Sequence, residues 1–298
     1  YYILNYLFLH SLEPKIMEIL EDEKKIVIFD IGCFRGVFTN NILKLIGKKK
    51  FKFFLFDINK NTKEYISNLL LSKNISYNEI ALSNKNGTAK YNYNSFFESS
   101  GSSLSPLYRD DTKWVSSRKF ILKILQQNTN DYTEYKVPTL TLDTFVKRKK
   151  IKSIDILKVD IDGFEYEFLQ GAKKTIKKDK VKVILIEVND KKKNYIKKEK
   201  KIINFLERKN FTLLKKHINI SVALFSGLKS GDYLFINNIW ISILRFCSKH
   251  CNNQGTHYRA HSRTLPLHPT IGFCSLVYFT GIKCFYTVLC SQIPNYRI

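Results

Sequence analysis

Short unbroken apolar runs alternate with amphipathic stretches along most of the chain. Residues 25–30 form the first run, in which Ile26, Val27, Ile28 and Phe29 close on the acid Asp30. A run of this length, bounded by polar residues, predicts a strand buried on both faces. Over 38–46, Phe38, Ile42, Leu45 and Ile46 recur at helical spacing. The next run, 51–56, again ends at an acid, Asp57. A helix is expected over 62–71, a third strand over 76–82, and a further strand over 88–93 behind the turn at Gly87. The rhythm breaks over 95–136, where Ser99-Ser100-Gly101-Ser102-Ser103 predicts a polar loop inside an insertion or lid, with a helix at 113–126. It resumes with a strand at 154–159 followed by Asp160, a helix at 165–176, a strand at 181–188, a helix at 198–209 and strands at 211–217 and 233–236. Strands alternating with helices predict an α/β fold, a mostly parallel sheet covered on both faces and wound by right-handed crossovers.

In such sheets ligands sit beyond the carboxyl ends of the strands, where strand order reverses. The first of these loops reads Asp30-Ile31-Gly32-Cys33-Phe34-Arg35-Gly36. Gly32 permits a tight turn and close backbone approach, and Gly36 lets the next helix begin near a ligand. A dinucleotide fingerprint, G-x-G-x-x-G, is arranged to hold a pyrophosphate. Here the glycines lie further apart and an acid precedes the first, which suits a nucleoside carrying an amino acid moiety. Asp30 is expected near the ligand's ammonium. Asp57, at the end of the second strand, is placed to accept from both ribose hydroxyls. With Asp160, these residues form the expected cofactor-binding set.

The second half extends the pattern. Ala81-Leu82-Ser83, Gly87 and Ser102-Ser103-Leu104 are followed by Val137-Pro138-Thr139-Leu140-Thr141-Leu142-Asp143. The most specific stretch runs from Leu157-Lys158-Val159-Asp160-Ile161-Asp162-Gly163-Phe164-Glu165 to Leu169, Gly171 and Ala172, and Glu187-Val188 closes the series. In order and spacing, these motifs resemble the FkbM-type methyltransferase family over about residues 25–236. The family often has Asn at the position of Phe34 and Glu at those of Asp57 and Asp162. The resemblance implies a class I, Rossmann-like methyltransferase that uses S-adenosylmethionine (SAM) and usually methylates oxygen, on sugar hydroxyls or secondary metabolites.

Methyl transfer to an alcohol needs the oxygen aligned and its proton removed. Asp160, Asp162 and Glu165 lie at the carboxyl edge of the sheet. Asp160 is expected nearest the reacting centre, and Glu165 is expected to orient the acceptor or act as base. Asp162, three residues before Glu165, fits a helix cap equally well. Glu187 and His217 end strands at the same edge and, with Ser102 and Ser103, are the candidate acceptor contacts. Three carboxylates are able to ligate Mg²⁺, but the pattern does not require a metal and none is expected.

Composition then adds partners and boundaries. The net charge of +24 is carried by scattered clusters such as Lys48-Lys49-Lys50, Lys147-Arg148-Lys149-Lys150, Lys191-Lys192-Lys193 and Lys197-Lys198, expected mostly in loops. No aromatic-interleaved nucleic-acid motif accompanies them. The acidic Asp160-Ile161-Asp162-Gly163 stands where an amine methyltransferase carries D/N-P-P-Y/F and would repel phosphates. A small-molecule or glycan acceptor is therefore expected rather than nucleic acid. The alternatives are a nucleic-acid methyltransferase and a non-catalytic, anion-binding methyltransferase fold.

Of the six cysteines only Cys33 precedes residue 240, so the body reads as a reduced, cytoplasmic domain. Residues 1–24 are expected to be a helical lead-in, 25–239 the working domain, and 240–298 a separate tail. Residues 1–10 are apolar without the flanks of a secretory signal, and a chain opening on Tyr1 is expected to be a piece of a longer one. The tail holds none of the 26 acidic residues but four of the six His. Its break in composition favours an out-of-frame or read-through translation over a membrane-associated segment at 271–293, the one place where membrane contact is expected. Cys247, Cys251, His257 and His261 are spaced too closely for a zinc finger. Oligomeric state is left open.

Overall fold

The computed structural model describes residues 13–21, 23–94, 102–105, 132–177, 180–219 and 227–241. It also describes helical positions at 116, 119, 120, 123 and 124 and short strands at 261–264, 275–278 and 286–287. The chain forms two compact units, Tyr1–Trp240 and Ile241–Ile298.

The first unit opens with α1 (Glu13–Leu20), then β1 (Lys25–Ile31), α2 (Val37–Ile46), β2 (Lys50–Phe56), α3 (Thr62–Tyr65), α4 (Ser67–Leu70) and β3 (Ile75–Asn78). Next come β4 (Ala81–Leu82), β5 (Gly87–Asn94), β6 (Tyr132–Leu140), α5 (Leu142–Arg148), β7 (Ile154–Val159) and α6 (Glu165–Gln170). It closes with β8 (Val181–Lys191), α7 (Lys192–Glu207), β9 (Phe211–Asn219) and β10 (Leu228–Asn237). Seven strands form one sheet in the order β3-β2-β1-β7-β8-β10-β9. β3, β2, β1, β7 and β8 run parallel, and β10 is antiparallel to both β8 and β9. Strand order reverses between β1 and β7, which makes their carboxyl ends the switch point where α/β sheets take ligands.

The central strands are apolar because both faces are covered. Along β8 every residue from Val181 to Asn189 is buried. Phe29 packs against Phe54, Phe56 and Phe145 with ring centroids 4.9, 5.6 and 5.9 Å away, each burial contributing roughly 1.5–3 kcal/mol. The helix α7 buries Tyr195, Glu199, Ile202 and Leu206 at spacings of three and four and turns its lysines outward except Lys198.

Several elements depart from the pattern read in the sequence. The expected strand at 76–82 is two, because the chain leaves β3 after Asn78 and enters a second sheet of order β4-β6-β5. The hairpin partner β6 was not foreseen, and it claims residues 132–136 from the expected insertion. The helix expected at 62–71 is split at Ile66. That expected at 165–176 stops at Gln170, since Gly171 passes so close to β4 that a Cβ would lie 1.9 Å from the Ser83 carbonyl oxygen. α7 begins at Lys192, so the lysines of 192–198 are helical rather than in loops. The helix expected at 113–126 lies mostly outside the described residues.

In the second unit, β11 (His261–Thr264), β12 (Ser275–Tyr278) and β13 (Tyr286–Thr287) pair as an antiparallel sheet. Cys247, Cys251 and His257 lie outside the described residues, as does most of 271–293. No helix among the described residues is long and apolar enough to cross a membrane.

Candidate functional site

The loop after β1 is a left-handed turn clamped from two sides. Gly32, Phe34 and Gly36 have φ of 76°, 40° and 68°. A Cβ on Gly32 would lie 1.8 Å from the Asp160 carbonyl oxygen, and one on Gly36 would lie 2.6 Å from Leu69 Cδ1. Gly32 is thus required both by its close approach to the Asp160 backbone and by its backbone angle, and Gly36 by its backbone angle. The Gly32 and Cys33 N–H groups donate to the Phe56 carbonyl at 2.9 and 3.1 Å.

Asp57 closes this loop. Its Oδ2 accepts from Phe34 N–H at 2.8 Å, and its Oδ1 accepts from Ile58 and Asn59 N–H at 2.8 and 2.9 Å. Burial pushes its carboxyl up, opposed by these three donors. A carboxylate offers about four acceptor directions. One therefore remains for a ligand hydroxyl, where the sequence reading assigned it two.

Asp30 is fully buried. It accepts from Thr39 Oγ1 at 2.7 Å and stands 3.4 Å from Lys158 Nζ, so it supports the loop from beneath. Lys158, absent from the expected site, is the hub. Its Nζ donates to the Gly32 carbonyl at 2.9 Å and pairs with Asp160 at 3.2 Å. Burial presses this ammonium down, yet Asp160 and Asp30 outweigh burial and hold it well above its usual range. A lysine inside the otherwise apolar run of β7 was the signal in the sequence.

Asp160 projects at the end of β7 with its side chain 26% exposed. Beyond it the sheet edge is acidic. Glu187 on β8 is directly opposite Asp232 on β10, which is directly opposite His217 on β9. One row nearer the edge, Asn189, Ser230 and Asn219 are aligned in the same way. Opposed residues of antiparallel strands share a face, so these six side chains line one wall. Ser230 Oγ donates to Glu187, and Asn219 Nδ2 donates to Asp232 Oδ2 at 3.2 Å. Burial, reinforced by Asp160 and Asp232, pushes the Glu187 carboxyl well above the carboxylate range. Burial, then Asp160, raises Asp232 to about 7, opposed by the Asn219 amide and Lys158. Asp232 was missed in the sequence because it interrupts the start of a strand, beside Gly231. A Cβ on that glycine would lie 2.6 Å from the Tyr195 hydroxyl behind the sheet.

Glu165 needs correction as an acceptor-orienting residue or base. It is fully buried, accepts from Gly163 N–H at 2.6 Å and pairs with Lys198 Nζ at 2.6 Å. Lys198 also donates to the Gly163 and Asn189 carbonyls at 2.7 and 2.8 Å. Glu165 therefore fastens the loop after β7 to α7. Asp162 does not cap α6, whose N-cap is Phe164. It adopts φ 46°, and its Oδ1 accepts from Asn189 Nδ2 at 3.3 Å. Ser103 Oγ donates to the Asp162 carbonyl at 2.6 Å and so reaches the same loop. Ser102 Oγ turns away to accept from Asn94 N–H at 2.7 Å. Among the described residues no group of three or more His, Cys, Asp or Glu is arranged to hold a metal ion.

This geometry fits a nucleoside-bearing ligand over β1 and β2. The loop is held open by protein contacts, Asp57 keeps one acceptor direction, and a partly exposed carboxylate stands across the switch point. Residues 30–213 match the family described as Methyltransferase FkbM domain. Among solved structures, the chain is similar to methyltransferase FkbM from Methylobacillus flagellatus KT, with 11% identity, TM-score 0.43, and coverage of 70% of this chain and 44% of that one. It is also similar to M. jannaschii TYW2 in complex with AdoMet, with 13% identity, TM-score 0.36 and coverage of 76% and 75%. A third is precorrin-6y C5,15-methyltransferase from Geobacter metallireducens GS-15, with 11% identity, TM-score 0.36 and coverage of 76% and 86%. The chain thus spans less than half the length of the first of these structures. No curated protein matches it.

Proposed function

Because the chain belongs to the FkbM methyltransferase domain family, whose methyl donor is SAM, we propose that it methylates a hydroxyl oxygen of a small-molecule or glycan acceptor. The observation that carries this reading is Lys158, which binds both the carbonyl of Gly32 in the donor loop and the carboxylate of Asp160. It fixes the two halves of the reaction relative to each other across the switch point.

Gly32, Gly36 and Asp57 would hold the donor. Bound there, SAM supplies an electrophilic methyl on a sulfonium. The remaining work belongs to the chain. Asp160 is the carboxylate best placed to take the acceptor's proton, since it is partly exposed while Asp30 and Glu165 are enclosed. Its pairing with Lys158 at 3.2 Å holds it in place. The acidic wall of β8 and β10 favours oxygen acceptors over phosphate-bearing ones, because a nucleic-acid backbone would be brought close to Glu187 and Asp232 there.

Calorimetry of SAM with the full chain tests the donor site. Saturable binding is expected, weakened roughly tenfold or more in Asp57→Ala, which removes charge-assisted acceptors. A folded protein that binds no SAM would overturn the reading. Transfer of labelled methyl to a panel of sugars and glycolipids then tests the acceptor class, with the product identified as an ether.

A further inference from the structure

Charge is compensated unevenly along the ligand edge of the sheet. On one side of the switch point Lys158 answers both Asp30 and Asp160. On the other, Glu187 and Asp232 face each other across the β8–β10 pair, an arrangement in which like charges destabilise a sheet. Asp232 makes no ion pair among the described residues, and its side-chain partner is the neutral Asn219 amide. Nothing in the packing of the strands requires a carboxylate at that position.

An independent observation lies beside this pair. Asn189 is 1% exposed and stands in the row next to Glu187, opposite Ser230. Its Nδ2 donates to Asp162 Oδ1, and because a carboxylate only accepts, the orientation of this amide is fixed. That leaves Asn189 Oδ1 buried and without a hydrogen-bond partner. A buried unsatisfied acceptor costs about 1–3 kcal/mol, so such a group marks a place where a donor is missing. Among the described residues, then, Asp232 lacks a cationic partner and Asn189 Oδ1 lacks a hydrogen-bond donor.

The geometry points to an acceptor that carries a protonated amine near its reacting hydroxyl, with the ammonium held by Asp232 and Glu187 and reaching the free oxygen of Asn189. This inference rests on the methyl-transfer reading and specifies its acceptor class. An ammonium presents three donors and one positive charge on a single atom. A neutral polyol satisfies the acceptors but leaves the charge unanswered. The donor's own cationic groups are poorly placed for the role. The donor loop lies over β1 and β2, whereas Asp232 lies two strands beyond β7.

Elevated proton affinity at Asp232 and Glu187 agrees with a wall built for a cation that is supplied from outside. The charged or titratable groups that bear on Asp232 are Asp160 and Lys158, with Glu187 opposite on β8, His217 opposite on β9 and Tyr195 behind the sheet, while Asp162 bears on Glu187. Binding of an ammonium would release protons from this cluster, so the affinity of an amino alcohol that stays protonated throughout should rise between pH 6 and pH 8.

The test uses the full chain saturated with SAM, in calorimetry against amino sugars and amino alcohols, each paired with its N-acetylated twin. Glucosamine and N-acetylglucosamine form one such pair, which share a ring and differ in charge. The expected result is at least one amine bound about tenfold or more better than its twin. That preference should vanish in Asp232→Asn, a variant that keeps the side chain's shape. Amines that bind no better than their twins, or not at all, overturn the proposal. So does a preference that survives Asp232→Asn. If Asp232→Asn weakens SAM binding itself, the wall belongs to the donor and the proposal also falls. Failure of the wild-type chain to bind SAM is read separately and strikes the methyl-transfer reading instead.

Discussion

The two flanks of the switch point are built to different rules. On the β1–β2 side each acid has protein partners. Asp30 holds Thr39 and Lys158, and Asp57 holds three backbone N–H groups. On the β8–β10 side Asp232 makes no ion pair among the described residues, and the buried Asn189 Oδ1 has no hydrogen-bond partner. The first flank is finished without its ligand and the second is not. A family that shares one donor and differs in acceptors needs this division, because the constant half can be preorganised. The variable half must keep its polar groups available.

Four perturbations would break or sharpen this contrast. The largest effect is expected from Gly32→Ala, because the new Cβ meets the Asp160 carbonyl and the φ of 76° disfavours any side chain. Loss of folded protein, seen as an absent thermal transition and no SAM binding, is the expected outcome. Lys158→Met comes next. It strands Asp30 as a buried, uncompensated charge, and breaking such a pair costs about 3–5 kcal/mol in urea unfolding. A loss under 1 kcal/mol would mean the finished flank does not depend on its hub.

Asp232→Asn should act in the opposite sense. The folded carboxyl is raised to about 7 from an ordinary 3.8, so the wild type loses stability as pH climbs from about 4 to about 7. The amide avoids that loss. The variant should therefore equal wild type near pH 4 and exceed it by up to roughly 4 kcal/mol at pH 8. Equal melting temperatures at both pH values would show that the acidic wall carries no stored cost. The smallest effect belongs to Ser103→Ala. Removing its 2.6 Å bond to the Asp162 carbonyl should cost about 1 kcal/mol. It should raise the acceptor's KM while leaving the SAM dissociation constant in place.

Much of this was legible before any coordinates. Apolar runs ending in Asp30, Asp57 and Asp160 gave the strands and their ligand edge, because burial on both faces leaves an unambiguous signature. Residues whose meaning is decided across the sheet were not legible. Glu165 reads in the sequence as an acceptor-orienting residue or base, because Lys198, its partner, comes from α7, a helix that begins six residues before the expected start. Asp232 and Asn189 look ordinary in their own strands and acquire significance only from the antiparallel register that sets them beside Glu187 and Ser230. Lys158 stood in plain view, but its two acidic partners belong to different strands.

The β5–β6 ladder holds a longer-term consequence. It is paired from Gly87↔Thr139 out to Asn94↔Tyr132, so the two ends of the segment between these strands are sealed together. Whatever lies beyond that seal can grow or shrink at an entropic penalty that rises only logarithmically with length. Over evolutionary time this permits piecemeal exchange of the segment while the seven-stranded sheet is inherited unchanged. Diversification of such a lineage would then be recorded first in the lengths of these excursions, and only later in the strands beneath them.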